Sequence, residues 1–450
     1  MTKKTVLLIT LSIACTLRVM SQAVAEDKIA LINVTVIDVV NAQQIKNRTI
    51  IIEDDLIQSI QHSDSINLSD VGKRIDLTGK YIIPGLIDSH VHLFRPNNRK
   101  EILTQFLYSG ITTVRDMGGD ARVYQSLNDQ IKEGSLEGPD IFYSANVFGP
   151  AFLKDPRTKF AALGYEPGSA PWMRMITDES NLQTVVKEAK EAGVTGLKVY
   201  SNVSPELLLQ LSEVAHSHGL KMWSHSSIYP SKPSDAVKAN VDVLSHSIGM
   251  IFELENNMPL SFNDAIGESV PLLDFKNTDA SASAFISLFE QMIEKNIIFE
   301  PTLSAWSVKF RPEKPQNNPN PQKSNPTQHL ANAANKLDID AMDNWAQRIT
   351  KSAYQNGVTI AAGTDLNTNI KWVQDEVILL TECGMSNNDA LKAATLNNAK
   401  TIGIDNTHGS ITVGKKANFV VLSDNPIEDI ENIRSVLSVY KNGKEYKQKE

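Results

Sequence analysis

The chain has almost no cysteine and no strongly basic region. Only Cys15 and Cys383 occur among its 450 residues, so at most one disulfide could form. The 44 lysines and arginines are outnumbered by 52 aspartates and glutamates, and the formal net charge is -8 at pH 7. An acidic chain without basic runs beyond its first residues is a poor match for nucleic acid or an anionic membrane surface. We therefore expect its partner to be a small molecule or a dipeptide.

Long hydrophobic runs are also missing. The apolar stretch Thr5–Ala14 is too short to span a bilayer, follows two lysines and precedes Ala23-Val24-Ala25. This order is typical of a secretory signal peptide, so residues 1–25 are expected to be removed and the protein to be periplasmic or secreted. A lipoprotein anchor through Cys15 is the alternative, although Ser12 stands where a leucine is usual. After removal of the signal we expect no transmembrane segment.

Loss of Cys15 with the signal would leave a single cysteine. Cys383 follows Leu379-Leu380-Thr381-Glu382 at the end of a predicted helix. No intramolecular disulfide is then available, and we expect Cys383 to be a buried apolar thiol.

The length exceeds what one simple core fills, so a large barrel with an appended domain, or two domains, is expected. Residues 26–83 and 401–450 share short β-rich runs separated by turn residues, and we expect both to form one β-sandwich. In residues 84–400, eight apolar strand-like runs alternate with helical patterns, which is typical of βα units around a parallel sheet. The predicted fold class is α/β, a TIM (β/α)8 barrel with a small β-sandwich formed by both termini.

The eight strand-like runs are 85–92, 112–116, 140–145, 196–200, 221–225, 241–246, 297–302 and 358–364. Two further segments, 151–178 and 309–328, depart from this pattern and are predicted to be long loops. Such loops are lids, substrate walls or flexible surface excursions.

Two histidines close the first of these runs. The segment Ile82–His92 is apolar, breaks at Pro-Gly and ends in His90-Val91-His92. Side chains two residues apart on a strand project from the same face. Because neutral imidazole is the commonest metal ligand in proteins, the pair predicts the start of a metal site.

Other groups able to take part in metal binding recur at the ends of the later strands. They are Lys198 after the fourth strand, His225 after the fifth, His246 after the sixth and Asp365 after the eighth. The catalytic groups of TIM barrels lie at this end of the strands, and buried polar groups need partners. A two-metal hydrolytic centre explains the set, since two cations about 3.5 to 4 Å apart polarise a carbonyl and deliver hydroxide from a shared water.

Lys198 needs a separate argument, because an ammonium group is not a metal ligand. Carboxylation of the amine would make it an anionic bridge between two cations, and burial beside cations lowers its pKa toward the neutral form that this requires. The alternative is a core-facing lysine paired with a carboxylate. Asp365 is the candidate general base, which takes a proton from water and passes it to the leaving amine.

The chain resembles the amidohydrolase superfamily, in its imidazolonepropionase-like and Xaa-Pro dipeptidase-like branch, from about Lys28 to the C-terminus. The matching segments are 84–92, 110–116, 196–200, 362–365 and 409–422. The resemblance implies that His90, His92 and Asp365 bind the more buried of two divalent metal ions, with zinc the first candidate. It also implies that carboxylated Lys198 bridges both ions and that His225 and His246 hold the exposed one.

Lys198 favours a two-metal centre over the one-metal site of imidazolonepropionase itself. The chain departs from many relatives at Ser245-His246-Ser247, where they carry Glu-His-Gly. Because this departure lies beside the predicted ligand His246, we expect it to affect which substrate is bound more than whether metal is bound.

Two side chains are candidates for substrate binding. Arg115 could bind a carboxylate with two hydrogen bonds, and Tyr229 could donate to a developing oxyanion and so take part in catalysis. For Arg115 the alternative is a structural ion pair with Asp116 or another carboxylate. Tyr200 is a weaker candidate, and Trp306 is expected to pack or to form a pocket wall.

The remaining histidines are given no site role. His216 and His218 are expected at the C-terminal end of a helix, near its dipole. The others are His62, His329 and His408.

The predicted function is an exported, metal-dependent hydrolase of an amide C–N bond in a small peptide-like substrate, such as an Xaa-Pro dipeptide or an N-acyl amino acid. Hydrolysis of a cyclic amide, a lactone or a phosphoester at the same site is one alternative. A catalytically inactive periplasmic binding protein is the other, and assembly into a homo-oligomer is left open.

Overall fold

A computed structural model describes residues 28–93, 98–155, 157–259, 273–307, 338–365 and 373–447. The predicted signal peptide, residues 1–25, and the predicted loop 309–328 lie outside the described residues. Among the residues described, no helix has the length and apolar character needed to cross a membrane.

Seventeen strands are described, numbered here in chain order. They are β1 Lys28–Asp38, β2 Gln43–Glu53, β3 Leu56–His62, β4 Lys73–Asp76, β5 Tyr81–Pro84, β6 Leu86–Val91, β7 Ile111–Asp116, β8 Asp140–Phe148, β9 Ser169–Ala170, β10 Met173–Met175, β11 Gly196–Val199, β12 Lys221–His225, β13 Val243–Ser245, β14 Ile298–Glu300, β15 Phe419–Leu422, β16 Val436–Lys441 and β17 Lys444–Tyr446.

The α-helices alternate with the strands of the central region. They are α1 Arg99–Tyr108, α2 Ala121–Lys132, α3 Arg157–Phe160, α4 Leu182–Glu191, α5 Pro205–Ser217, α6 Pro233–Lys238, α7 Ser283–Glu294, α8 Leu303–Trp306, α9 Ile339–Gln355, α10 Val373–Glu382, α11 Asn387–Lys392 and α12 Asn398–Ile402. Short 3-10 segments lie at Ser63–Ser65, Pro150–Lys154, Ser247–Leu254 and Ile430–Arg434, and a π turn at Ala393–Asn397 joins α11 to α12.

The two chain ends share one eight-stranded sheet. Its order is β17-β16-β15-β5-β1-β2-β3, with β4 beside β1, and the antiparallel β5–β15 pair joins the N-terminal and C-terminal parts. The sheet curls, since Leu56 at the start of β3 bridges Lys416 just before β15. Its inner face buries Leu31, Ile52 and Phe419. This confirms the predicted small β domain, in which the hydrogen bonding runs through one continuous sheet.

The central strands form a parallel barrel in the order β6-β7-β8-β11-β12-β13-β14. The eighth position is filled by an extended segment at 358–365, where Ile360 bridges Phe299 of β14. On its other side, the Ser89 amide donates to the Ala362 carbonyl at 3.3 Å, which closes the barrel onto β6. These strands are short and almost entirely buried, as parallel strands covered on both faces must be. The predicted barrel is confirmed.

Local sequence signals place the outer helices. Helix α5 begins after Ser204, whose hydroxyl accepts from the Leu207 amide, and Pro205 occupies its first turn. It ends at Ser217, and Gly219, two residues further on, has a φ of +73° that terminates the helix. His216 lies in the last turn as expected and pairs with Asp242 through Nε2 at 2.9 Å.

The segment 151–178 forms short regular elements where a long loop was predicted. Strand β10 lies parallel to the end of β8, with Met173 opposite Asn146, and β9 pairs with β10. The segment therefore extends the barrel sheet at the carboxyl end of its third strand, on the side where the candidate site lies.

Cys383 is 2% exposed, as expected for a core thiol. Burial raises its pKa to about 12, so the thiol stays protonated.

Candidate metal centre

Five of the predicted ligands lie together at the carboxyl end of the barrel. The Oδ1 atom of Asp365 is 3.1 Å from His92 Nε2 and 3.4 Å from His90 Nε2, and its Oδ2 is 3.7 Å from His246 Nδ1. The rings of His90 and His246 are 4.8 Å apart, and those of His246 and His225 are 4.7 Å apart. We call these five residues the mouth cluster.

The backbone at the strand ends is shaped to aim these side chains. Asp365 donates its amide to the His90 carbonyl at 2.8 Å, which fixes the end of the eighth segment against β6. Asp365 and His246 have φ values of +52° and +78°, in the left-handed region that residues other than glycine rarely adopt. Strain of this kind collects at functional sites, where the surrounding structure holds it in place.

His90 presents a buried nitrogen that nothing in the described structure satisfies. Its Nδ1 lies 2.6 Å from Glu300 Oε2, whereas its Nε2 makes no hydrogen bond. A carboxylate at Nδ1 favours the tautomer with the proton on that nitrogen, which leaves the Nε2 lone pair free. Burial lowers the pKa of His90 to about 4, so the ring is neutral at pH 7.

The protonation states of the mouth cluster suit a cation. Burial holds the pKa values of His225 and His246 well below the usual range. Burial alone would raise the pKa of Asp365, but His246 and His90 beside it bring that pKa well below its ordinary value. Ligand atoms of His90, His246 and Asp365 lie within 4.8 Å of one another. Neutral imidazoles around an ionised carboxylate are the states that metal binding needs, so these residues fit a divalent cation.

Lys198 lies beneath the mouth cluster and is fully buried. Its Nζ donates to Ser245 Oγ at 3.0 Å, and that hydroxyl donates to Glu300 Oε2 at 2.9 Å. Burial lowers the pKa of Lys198 to about 7, with Glu300 opposing the shift. A large fraction of the amine is therefore neutral near pH 7, as carboxylation requires.

Glu300, at the end of β14, is the residue that sequence reasoning missed. It is fully buried; its Oε1 accepts from Arg115 Nη2 at 2.7 Å and from Ser89, and its Oε2 faces Ser245 and His90. We call Glu300, Arg115, Ser89 and Ser245 the Glu300 network. The signal was present in the sequence, because Glu300 is a charged residue at the end of the seventh predicted strand.

The predicted substrate role of Arg115 is wrong. The side chain is fully buried inside the barrel, where Nε donates to the Ser89 carbonyl at 2.6 Å and Nη1 to the Thr401 carbonyl at 3.3 Å. Its Cζ lies 4.5 Å from the Trp223 ring. With Nη2 on Glu300, the guanidinium has no path to a substrate, and it forms the structural ion pair that was the alternative, with Glu300 in place of Asp116.

The aromatic candidates take different positions. Tyr229 is 5% exposed, its ring lies 5.1 Å from that of Phe252, and burial raises its pKa to about 12, so the hydroxyl keeps its proton. Its role in substrate binding and catalysis stays a prediction. Tyr200 lies against the mouth cluster, with its ring 4.8 Å from His225 and its hydroxyl donating to the Met117 carbonyl at 2.7 Å. Trp306 packs against the barrel core.

Comparison with solved structures agrees with this architecture. A Xaa-Pro dipeptidase solved with methionine in its active site superposes with a TM-score of 0.68 at 23% identity, over 94% of this chain and all (100%) of that one. Ochratoxinase from A. niger superposes with a TM-score of 0.68 at 19% identity, over 94% of this chain and 96% of that one. At these identities the likeness establishes the fold.

The sequence comparisons place the chain in a family. Imidazolonepropionase from Picrophilus torridus is 21% identical over 414 residues, which cover 89% of this chain and 90% of the relative. A profile of the amidohydrolase family matches residues 81–446, which include the barrel and all three C-terminal strands. The predicted superfamily and the predicted class of enzyme, a hydrolase, are thereby confirmed. The chain belongs to the amidohydrolase family.

Proposed function

We propose that this enzyme hydrolyses an amide bond in a small peptide-like substrate, such as an Xaa-Pro dipeptide or an N-acyl amino acid, with divalent metal ions in the mouth cluster. One observation carries the proposal: Nε2 of His90 is buried without a hydrogen bond and faces Asp365, beside His246. A buried imidazole nitrogen left in this state costs free energy unless a ligand satisfies it. The likeness to a Xaa-Pro dipeptidase supports the substrate class.

We propose that two ions, with zinc as the first candidate, are held by the residues that the family resemblance implies. His90, His92 and Asp365 would hold the inner ion, and His225 and His246 the outer one. Lys198, once carboxylated, would reach both. When bound, such cations polarise a carbonyl and activate water.

The chain's own side chains account for the proton movements. Asp365 is ionised and its side chain is 23% exposed, so its carboxylate can accept a proton from water at the mouth and return it to the leaving amine. Tyr229 keeps its hydroxyl proton and is the proposed donor to the oxygen that gains negative charge. Glu300 holds the ring of His90 through Nδ1 and so fixes the direction of Nε2.

Export of the mature protein from about Glu26 is part of the proposal and is supported by residues 1–25. The proposed division of the mature chain is 26–83 with 401–450 for the β domain, and 84–400 for the barrel. The mass of the protein recovered from the periplasm or medium tests the start point directly.

Asp365→Asn tests the catalytic role. The amide cannot act as a base, so kcat for a panel of dipeptides and N-acetyl amino acids should fall by about 10²- to 10⁴-fold. Binding of the same compounds, measured by calorimetry, should persist. Asp64→Asn, on a side chain that is 78% exposed in the β domain, is the matched control and should leave kcat unchanged. Unchanged turnover in Asp365→Asn would contradict the mechanism, and a wild type that binds without turnover would favour the binding-protein alternative.

A further inference from the structure

We propose that Arg157 binds a carboxylate of the substrate at the mouth of the barrel. The proposal rests on the function proposed above and adds the residue that recognises the free carboxylate, which both proposed substrate classes carry on the amine half of the amide. Arg157 lies at the start of α3, in the segment that extends the barrel sheet beyond β8.

Arg157 lies one aromatic ring away from the mouth cluster. Its Cζ is 5.3 Å from the ring centres of both Phe152 and Tyr200. The opposite contact of Tyr200 is with His225, at 4.8 Å between rings. The guanidinium is therefore held over the wall of the site by aromatic contacts, at a separation from the metal ligands that a small substrate can span.

One edge of the Arg157 guanidinium is occupied and the other is open. Nε and Nη2 donate to Oδ1 and Oδ2 of Asp155, both at 2.9 Å, so the side edge carries a two-bond pair. Nη1 makes no hydrogen bond within the part of the chain that the structure describes. The end edge, formed by Nη1 and the second hydrogen of Nη2, can thus donate two parallel hydrogen bonds to a planar carboxylate.

The pair is also fixed and accessible. The Asp155 side chain is only 7% exposed, whereas 32% of the Arg157 side-chain surface remains accessible. A pre-oriented guanidinium loses little conformational freedom when it binds, which favours a specific ligand. Asp155 helps to keep the guanidinium charged, since its hydrogen bonds and charge outweigh the effect of burial on the pKa of Arg157.

Arg122 forms the same two-bond pair with an aspartate, but its end edge is partly occupied by another hydrogen bond. Its Nε and Nη2 bond the two oxygens of Asp120 at 2.9 and 2.6 Å, and its Cζ lies 4.7 Å from the Trp172 ring. In addition, Nη2 donates to the Leu163 carbonyl at 2.7 Å, and the side chain is 53% exposed. This chain therefore contains a matched pair of arginines, of which only Arg157 lies beside the mouth cluster with an open edge.

The test compares substrates that differ only in the carboxylate. Acetate release is measured from N-acetyl-L-leucine, N-acetyl-L-methionine and N-acetyl-L-proline and from their C-terminal amides, with wild type, Arg157→Gln, Arg157→Lys and the control Arg122→Gln. We expect the wild type to prefer the free acids. Arg157→Gln should lower kcat/KM for the acids by about 10- to 100-fold, mainly through KM, and leave the amides unchanged. Arg157→Lys keeps the charge beside Asp155 but lacks the second bond, so its loss should be smaller.

Arg122→Gln should behave as wild type on both substrate sets. Equal losses on acids and amides in Arg157→Gln, or a wild type that does not distinguish them, would overturn the proposal. If the wild type releases acetate from none of these compounds, the N-acyl amino acid part of the proposed function fails, and calorimetric binding of the same acids then decides the Arg157 site. Weaker binding of the acids by Arg157→Gln than by wild type and Arg122→Gln would support the site. Equal or absent binding would overturn it.

Thermal unfolding of each variant shows whether Arg157→Gln folds. If Arg157→Gln does not fold, Arg157→Lys is used for the test instead.

Discussion

Two polar regions lie within the same barrel and differ in how completely their groups are satisfied. In the Glu300 network, both carboxylate oxygens of Glu300 and all three guanidinium nitrogens of Arg115 bond other protein groups. In the mouth cluster, imidazole rings crowd around one carboxylate, and the buried Nε2 of His90 has no hydrogen bond. The hydrogen-bonding groups of the first region are satisfied by protein alone, whereas the second region contains a buried nitrogen that no described protein group satisfies.

His90 connects the two regions, with Nδ1 on Glu300 and Nε2 toward Asp365. A buried ion pair is a poor source of net stability, because desolvation of both charges offsets their attraction. The ion pair instead serves to orient a side chain, because the Glu300 network sets the tautomer and the orientation of the His90 ring in the mouth cluster. The comparison teaches that the inner region orients a side chain of the outer region, where we propose that the metal ions bind.

The largest expected effect follows from opening the Glu300 network. Glu300→Gln leaves the buried charge of Arg115 without its counter-ion, so the free energy of unfolding should fall by about 3–5 kcal/mol. Because His90 loses its carboxylate partner, the metal content should fall as well. Urea unfolding and elemental analysis measure the two effects. Glu431→Gln, on a 54% exposed partner of Arg434, is the control and should change stability by no more than about 1 kcal/mol. A Glu300→Gln protein as stable as that control would contradict the comparison.

Lys198 stands at the border of the two regions, and its removal should affect mainly the mouth cluster. The purified wild type should contain about two metal ions per chain, and Lys198→Ala should lose most of this content together with activity. Lys441→Ala, which removes a 4% exposed lysine paired with Asp140, is the control and should keep its metal. One ion or fewer, unaffected by Lys198→Ala, would assign Lys198 to the Glu300 network and direct the search to one-metal hydrolysis of cyclic substrates.

The smallest effect concerns a second buried glutamate, Glu376, which forms no ion pair with a lysine, arginine or histidine in the described part of the chain. Its oxygens accept the amides of Leu303 and Ser304 at 2.8 and 2.7 Å, and burial raises its pKa to about 8. The folded protein thus holds a proton that the unfolded chain releases above about pH 4.5. This contribution to stability is full below that pH and is lost as the pH rises toward 8, by at most about 3 kcal/mol between pH 6 and 8.

Glu376→Gln cannot titrate, so the variant should lack this part of the pH dependence. Urea unfolding at pH 6, 7 and 8 measures it, with Glu431→Gln as the control that retains the wild-type slope. Identical slopes in Glu376→Gln and wild type would show that Glu376 is ionised across this range. It would then resemble Glu300, whose pKa is lowered by Arg115 despite burial.

Much of the site could be predicted because barrel geometry converts sequence order into spatial position. Polar residues at the ends of apolar strands all reach the same end of a barrel, so His90, His225, His246 and Asp365 were predictable as neighbours. The same rule applies to Glu300 at the end of β14, but its carboxylate bonds Arg115 and Ser89 inside the barrel, and these partners are set by tertiary contacts. The position of Arg115 on β7 was predicted correctly. Its predicted role was wrong because the sequence does not show that the side chain points into the barrel, beneath the site.

By itself the sequence determined the eight βα units, the small β domain from both ends and the positions of the candidate metal ligands, because periodicity and strand ends are local properties. Only the tertiary structure decided which polar groups pair. Arg115 bonds Glu300 across 185 residues, and Arg157 comes to lie over Tyr200 and so beside His225. Such pairings arise when the barrel closes and brings distant segments into contact, which no local pattern encodes.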